Sequence, residues 1–191
     1  MAIDVSPTEL HRLSIDEYHQ LIASGGFDEA SRVELIDGLL LDMSPRNPQH
    51  EQAIRWLIDW LIDCLDRSEY QLMITGSLTI GTSEPEPDVA VINRRAPTGE
   101  HPKHARLVIE VAVSSQERDL ATKPRIYAPA VDEYWVVDLE QRCVVVHRDP
   151  GPDGYGSVIS IPSGEPVEAR SIELGVLPSG ELFAAALAGS R

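Results

Sequence analysis

Glu110 is the one charged residue in the stretch LVIEVAV, residues 107 to 113. A strand this apolar is buried on both faces, so it belongs to a sheet covered by other layers on either side. That requirement already points to an α/β arrangement. It also makes the glutamate costly. A lone buried carboxylate costs on the order of several kcal/mol unless it is paired, protonated or bound to metal. A salt bridge to an arginine and a strand end that reaches water both remain open beside a metal site.

Asp88 sharpens the choice. It opens DVAVI directly after Pro87, and proline fixes φ at that point and offers no donor. Side chains alternate along a strand. Asp88 therefore shares a face with Ala90, and Glu110 with Val108 and Ala112. If the two strands are neighbours, both carboxylates can meet on one face. Two like charges a few Å apart resist full ionisation unless a cation lies between them. Hard oxygen ligands favour Mg²⁺ or Mn²⁺.

The rest of the chain supplies the layers. SIDEYHQLIASGG begins with a capping box, Ser14 with Glu17, and Gly25 and Gly26 end the helix. RVELIDGLLLDM reads as a hairpin turning at Asp37-Gly38, where positive φ is needed. Residues 49 to 66 predict an amphipathic helix with Ile54, Leu57, Leu61 and Leu65 on one face, widened by Ile58 and Ile62. Trp56 and Trp60 fit core or a packing seam. QLMITGSLTI is a strand candidate, DVAVI and RLVIEVAVS are strands, and EYWVVDL with CVVVHR forms a second hairpin. Irregular hairpins are expected over residues 149 to 168, and LFAAALAG is a closing helix. The order predicts one α/β domain over residues 1 to 191, with a mixed sheet flanked by helices and extra C-terminal hairpins.

Composition narrows the setting. Hydrophobic residues make up 42% and charged residues 25% of 191, a globular balance that can fill a core. No apolar run reaches the roughly 18 residues of a membrane span, and MAIDVSPTELHRL does not read as a leader. Cytoplasm is the expected compartment, with Cys64 and Cys143 as buried thiols rather than a disulfide. The net charge of −15 repels nucleic acid as a whole. Residues 94 to 125, however, hold seven Lys or Arg (Arg94, Arg95, Lys103, Arg106, Arg118, Lys123, Arg125) against four acids, a net of +3 that leaves −18 elsewhere. Either this is a solvated face or it is a basic rim that handles phosphate.

Six more residues bear on chemistry. Glu34 lies between Val33 and Leu35 in the hairpin strand. Lys123 stands in DLATKPRIYAPA, where Pro124 suits a first helical turn. The helix then starts near Thr122, and Tyr127 shares a face with Lys123. A lysine at a helix N-terminus is not favoured by the dipole, so it is either a solvated end or the partner of a specific anion. His50 precedes the long helix and can line a site or face water. His101 and His104 lie three apart in a loop, and without a third ligand beside them zinc is not expected there.

Together, Glu34 in VELIDG, Pro87-Asp88 in EPEPDVAVI, Glu110 in LVIEVAVSS, Lys123, Tyr127 and EYWVVD at 133 to 138 resemble the "putative restriction endonuclease" family of the PD-(D/E)XK nuclease superfamily. The resemblance implies a restriction-endonuclease-like core. It implies that Asp88, Glu110 and Glu34 hold Mg²⁺ or Mn²⁺ and that Lys123 acts beside them. The superfamily often places its lysine two residues after the second acid. Here that position is Ala112, and Lys123 fits a lysine supplied from the following helix. The implied activity is metal-dependent endonucleolytic hydrolysis of nucleic acid, DNA before RNA, often by a homodimer. A nuclease-like binding module without catalysis is the alternative, supported by the net charge, and a small-molecule phosphohydrolase is a third reading. The four polar positions Glu34, Asp88, Glu110 and Lys123 argue against the non-catalytic reading, and the phosphohydrolase would use the same carboxylates.

Overall fold

A computed structural model describes residues 10–27, 32–43, 47–97, 99–113 and 118–188. The first nine residues, Glu117 and the side chain of Arg118 lie outside this set, and with them the expectations placed on the N-terminal segment and on those two charges.

Helix α1 (Ile15–Ala23) carries the reciprocal capping box of Ser14 and Glu17. Strands β1 (Val33–Ile36) and β2 (Leu39–Asp42) form the hairpin predicted at Asp37-Gly38, with φ of 49° and 74° at the two turn residues. Gly38 is required there twice over. Its φ is left-handed, and a Cβ would lie 2.7 Å from that of Arg12. Helix α2 (Pro48–Cys64) follows, capped by Asn47.

Six strands form the main sheet. They are β3 (Tyr70–Ile74), β4 (Val89–Asn93), β5 (Ala105–Ala112), β6 (Val131–Asp138), β7 (Cys143–Gly151) and β8 (Gly154–Pro162), neighbouring one another in that order. Only β5 and β6 pair in parallel. A parallel pair cannot be joined by a tight turn and needs a crossover. Here it consists of a π-helical turn, Arg118–Thr122, and a short helix α3 (Lys123–Tyr127). The sheet is therefore mixed, as expected. Strands β9 (Val167–Glu168) and β10 (Val176–Leu177) make a small separate ladder before α4 (Ser179–Leu187).

Alternation sorts the side chains into two cores. Val89, Val91, Leu107, Ile109, Val111, Trp135 and Val137 face α2 and α4. Ala90, Val108, Ala112, Tyr134 and Val136 face Tyr127 of α3. At about 25 cal/mol per Å² of apolar surface, burial on both faces is what offsets the cost of keeping carboxylates on β5. Trp56 and Trp60 pack half-buried against the first core, as the seam reading expects.

Several expectations are adjusted. Ile62 lies on the solvent side of α2 and is 45% exposed, because Ala53, Leu57 and Leu61 fill the buried stripe. Cys64 is exposed at the last turn of α2 and Cys143 is half-buried at the start of β7, so the two free thiols are not core residues. The strand candidate at 71 to 80 stops at Ile74, where Thr75 takes a positive φ. The glycine-rich stretch after Asp149 is not irregular. It forms the second arm of a regular antiparallel ladder through Pro162.

Candidate active site

β4 and β5 are antiparallel neighbours, with Val89 opposite Ile109 and Ala90 opposite Val108. This pairing puts Ala90 and Val108, and with them the faces of Asp88 and Glu110, on one side of the sheet. Asp88 sits at the end of β4 beside Glu110, and its Oδ2 accepts the backbone N–H of Val111 at 2.9 Å. The strand that carries Glu110 thus holds Asp88 in place.

His50, from the first turn of α2, puts Nε2 3.1 Å from the same Oδ2. Asn47 caps that turn by accepting the N–H of His50, so the ring leaves a fixed backbone. Both side chains are largely shielded from solvent. His50 therefore lines the site rather than facing water. Burial opposes ionisation of Asp88, but the hydrogen bond and charge of His50 and the N–H of Val111 outweigh it, and the carboxyl is held below its ordinary value.

Glu110 is reached from α3. Lys123 Nζ and the Tyr127 hydroxyl both donate to Glu110 Oε1, each at 2.8 Å. The four-residue spacing of Lys123 and Tyr127 puts both on one side of the helix, as predicted. Ala112, beside Glu110 on the same face of β5, is buried in the core that Tyr127 joins, and it is small enough to leave room for them. Lys123 Nζ also lies 3.5 Å from Asp119 Oδ1 and 3.7 Å from Glu34 Oε2. The lysine is not a solvated helix end. It is about as buried as the acids around it.

Three carboxylates, Glu34, Glu110 and Asp119, thus surround one ammonium, and Asp88 stands beside Glu110 on the neighbouring strand. Burial pushes the Glu110 carboxyl well above its ordinary value. Lys123 opposes this, while Asp88 and Asp119 reinforce it. Burial alone would lower the Lys123 pKa, but Glu110, Glu34 and Asp119 outweigh it and drive it above the ordinary lysine value. Burial, followed by the charge of Glu110, raises the Tyr127 phenol, which stays a donor. The excess of buried negative charge and the all-oxygen donor set fit a hard divalent cation. In this arrangement the Lys123 ammonium is the cation that Glu34, Glu110 and Asp119 share. Among the described residues, the three-residue group of ligand-type side chains that closes to within 4.8 Å lies elsewhere, at His19, Glu84 and His101.

Two features escaped the sequence. Asp119 lies at the start of the π-helical turn and is anchored through its carbonyl, which accepts the Tyr134 hydroxyl at 2.8 Å. Its only sequence signal is the four-residue spacing to Lys123. Glu133, in EYWVVD, is also buried, but its role is structural. It accepts from Arg148 Nε at 2.8 Å, from the Trp135 indole and from the backbone N–H of Arg170 and Ser171. The basic rim is only partly assembled. Arg106 pairs with Asp132 and Lys103 with Glu100, while Arg95, Lys103 and His104 line one open cleft with Tyr70 and Asn93.

Comparison with known proteins decides the family. A family model described as "Putative restriction endonuclease" (Uma2) matches residues 15–177. The chain belongs to this family. The Uma2 match spans every site residue named above. A crystal structure from Anabaena variabilis, described as a putative nuclease belonging to DUF820, superposes with a TM-score of 0.69 at 16% identity, covering 92% of this chain and 99% of that one. At that identity it shows a shared nuclease-like fold. The type IIG restriction endonuclease BpuSI matches more weakly, with a TM-score of 0.43 and 16% identity over 73% of this chain and 15% of its own. No curated protein matches the chain.

Proposed function

We propose that this Uma2 chain is a metal-dependent endonuclease that hydrolyses phosphodiester bonds of DNA. The observation that carries the reading is the buried cluster in which Asp88 and Glu110, on adjacent strands, stand beside Glu34 and Lys123. Asp88, Glu110 and Glu34 would hold Mg²⁺ or Mn²⁺, which supplies Lewis-acid polarisation of a phosphoryl oxygen and a lowered pKa for bound water.

The chain's own residues do the rest. Lys123, whose charged form the surrounding carboxylates favour, would stabilise the negative charge that develops as a phosphodiester is attacked, the preorganised electrostatic role that contributes most in buried sites. His50 and the Val111 N–H keep Asp88 ionised and aimed. Tyr127 orients Glu110 through its hydroxyl. The exposed Arg94, Arg95 and Lys103 can contact the phosphate backbone, and such contacts set register rather than sequence. The net charge of −15 supports the second reading, a nuclease-like binding module without catalysis.

Cleavage of supercoiled plasmid with Mg²⁺ or Mn²⁺ tests the proposal. Wild type should nick or linearise the DNA, and Asp88→Ala, Glu110→Ala and Lys123→Ala should not. Equal cutting by all four would remove the assignment. DNA binding without cutting in wild type would favour the binding module.

A further inference from the structure

Glu84 is a further buried carboxylate, only 2% exposed, and it lies outside the site just described. Among the described residues, the basic groups within 4 Å of it are two imidazoles. His19 Nε2 lies 2.9 Å from both of its oxygens, and His101 Nε2 lies 3.5 Å from Oε1. The donor atoms of all three residues lie within 4.8 Å of one another. Both histidines are more than 40% exposed at the side chain, so the group is open on one side. We infer that His19, Glu84 and His101 form a site for a single Zn²⁺-type ion, distinct from the Asp88 cluster.

Three physical points carry this. First, the donors suit the metal. Two imidazoles and one carboxylate are a common zinc set, and nitrogen donors disfavour Mg²⁺ and Ca²⁺. Ligands about 2.1 Å from a tetrahedral ion stand roughly 3.4 Å apart; His101 is already at that spacing from Glu84, and His19 reaches it with a movement of about half an ångström. Second, the charge needs a partner. Glu84 has a hydroxyl and two imidazoles as its partners, none of them a permanent cation, and a bound metal ion would compensate its buried charge. A metal satisfies it at neutral pH with both rings neutral, through the Nε2 atoms that already point at Glu84.

Third, the ligands come from three segments that the backbone has already drawn together. Glu84 donates its N–H to the Leu35 carbonyl at 2.6 Å, Thr79 donates its N–H to the carbonyl of Pro102, next to His101, at 2.9 Å, and His19 rides on the capped helix α1. The Thr79 hydroxyl also donates to Glu84 Oε2 at 3.3 Å, the kind of outer contact that orients a metal ligand. The open side faces a cleft bounded by Ile22, Gly99 and Lys103, which leaves a fourth position for water. His104, three residues on from His101 in the loop, takes no part. His104 turns to Asp132 at 3.1 Å.

Zinc titration of the chelator-stripped full chain, with excess Mg²⁺ present and a competing chromogenic chelator as reporter, tests the site. The expected result is one Zn²⁺ per chain. Glu84→Gln and His101→Ala should each weaken it by on the order of 100-fold or more, because even outer contacts are worth 10- to 100-fold. Asp88→Asn should leave it unchanged. His101 lies in an exposed loop, so its variant keeps the test sound if Glu84→Gln does not fold. Absence of Zn²⁺ binding in wild type overturns the inference. So does binding that survives His101→Ala, or binding that is lost in Asp88→Asn. The readout is metal binding alone, so failure here leaves the nuclease proposal standing, and failure of cleavage leaves this site standing.

Discussion

Lys123 donates to Glu110 Oε1 at 2.8 Å across a buried contact between residues 13 apart in sequence. The lysine comes from the crossover helix and the glutamate from the strand before it, so the parallel β5–β6 connection itself builds the pair. Removing one partner of a buried ion pair leaves the other charge uncompensated, typically at a cost of about 3–5 kcal/mol. Lys123→Ala should therefore lower stability by that order in chelator, measured by urea unfolding. Added Mn²⁺ should restore more stability to the variant than to wild type, because the variant has lost the cation its carboxylates share.

Removing the His50 ring takes from Asp88 a partner that holds its carboxyl low. In His50→Ala, activity should fall about 10- to 100-fold, the usual cost of losing a contact that orients a ligand. The acid limb of the pH–rate profile should also move to higher pH. A uniform fall in rate with no shift of that limb would limit His50 to packing.

Stability in chelator should carry two opposed pH signatures. The Glu110 carboxyl is raised above its ordinary 4.5, so its contribution is complete below that value and is lost as pH rises through the raised one. The Asp88 carboxyl is lowered from 3.8, so its contribution is present above that value and is lost as pH falls through the lowered one. Unfolding measured across pH should show Glu110→Gln flattening the loss on the higher-pH side and Asp88→Asn flattening the loss on the acid side.

Glu133 offers a contrast. It is buried and paired with Arg148 but touches none of the site acids among its hydrogen bonds. Glu133→Gln should destabilise the fold by about 3–5 kcal/mol. Cleavage per folded molecule should be unchanged at a temperature where the variant remains folded.

The site was legible where chemistry conflicts with a local pattern. A glutamate in LVIEVAV and an aspartate after Pro87 each break an apolar strand, and the alternation of side chains assigns their face. Lys123 was legible because a proline fixes the helix start and the dipole argues against a cation there. Asp119 was not, because a polar residue in a loop-like stretch carries no conflict, and only the tertiary fold buries it. Glu84 was hidden in SEPEP for the same reason. Its two histidine partners lie 65 residues before it and in the loop after β4, and no local spacing joins them. The fold follows the same rule. Periodicity revealed α2 and the central strands, whereas the glycines after Asp149 masked β8, whose register is held by pairing with β7.

On the proposed function, Asp88 and Glu110 hold a divalent cation. Titration of the chelator-stripped protein with Mn²⁺, followed by the paramagnetic resonance of the free ion, measures this directly. Wild type should bind an ion whose affinity falls at least about tenfold in Asp88→Asn and in Glu110→Gln, the equivalent of about 1.4 kcal/mol, and whose uptake strengthens as pH rises and Glu110 loses its proton. Equal Mn²⁺ affinity in wild type and both variants would contradict the account.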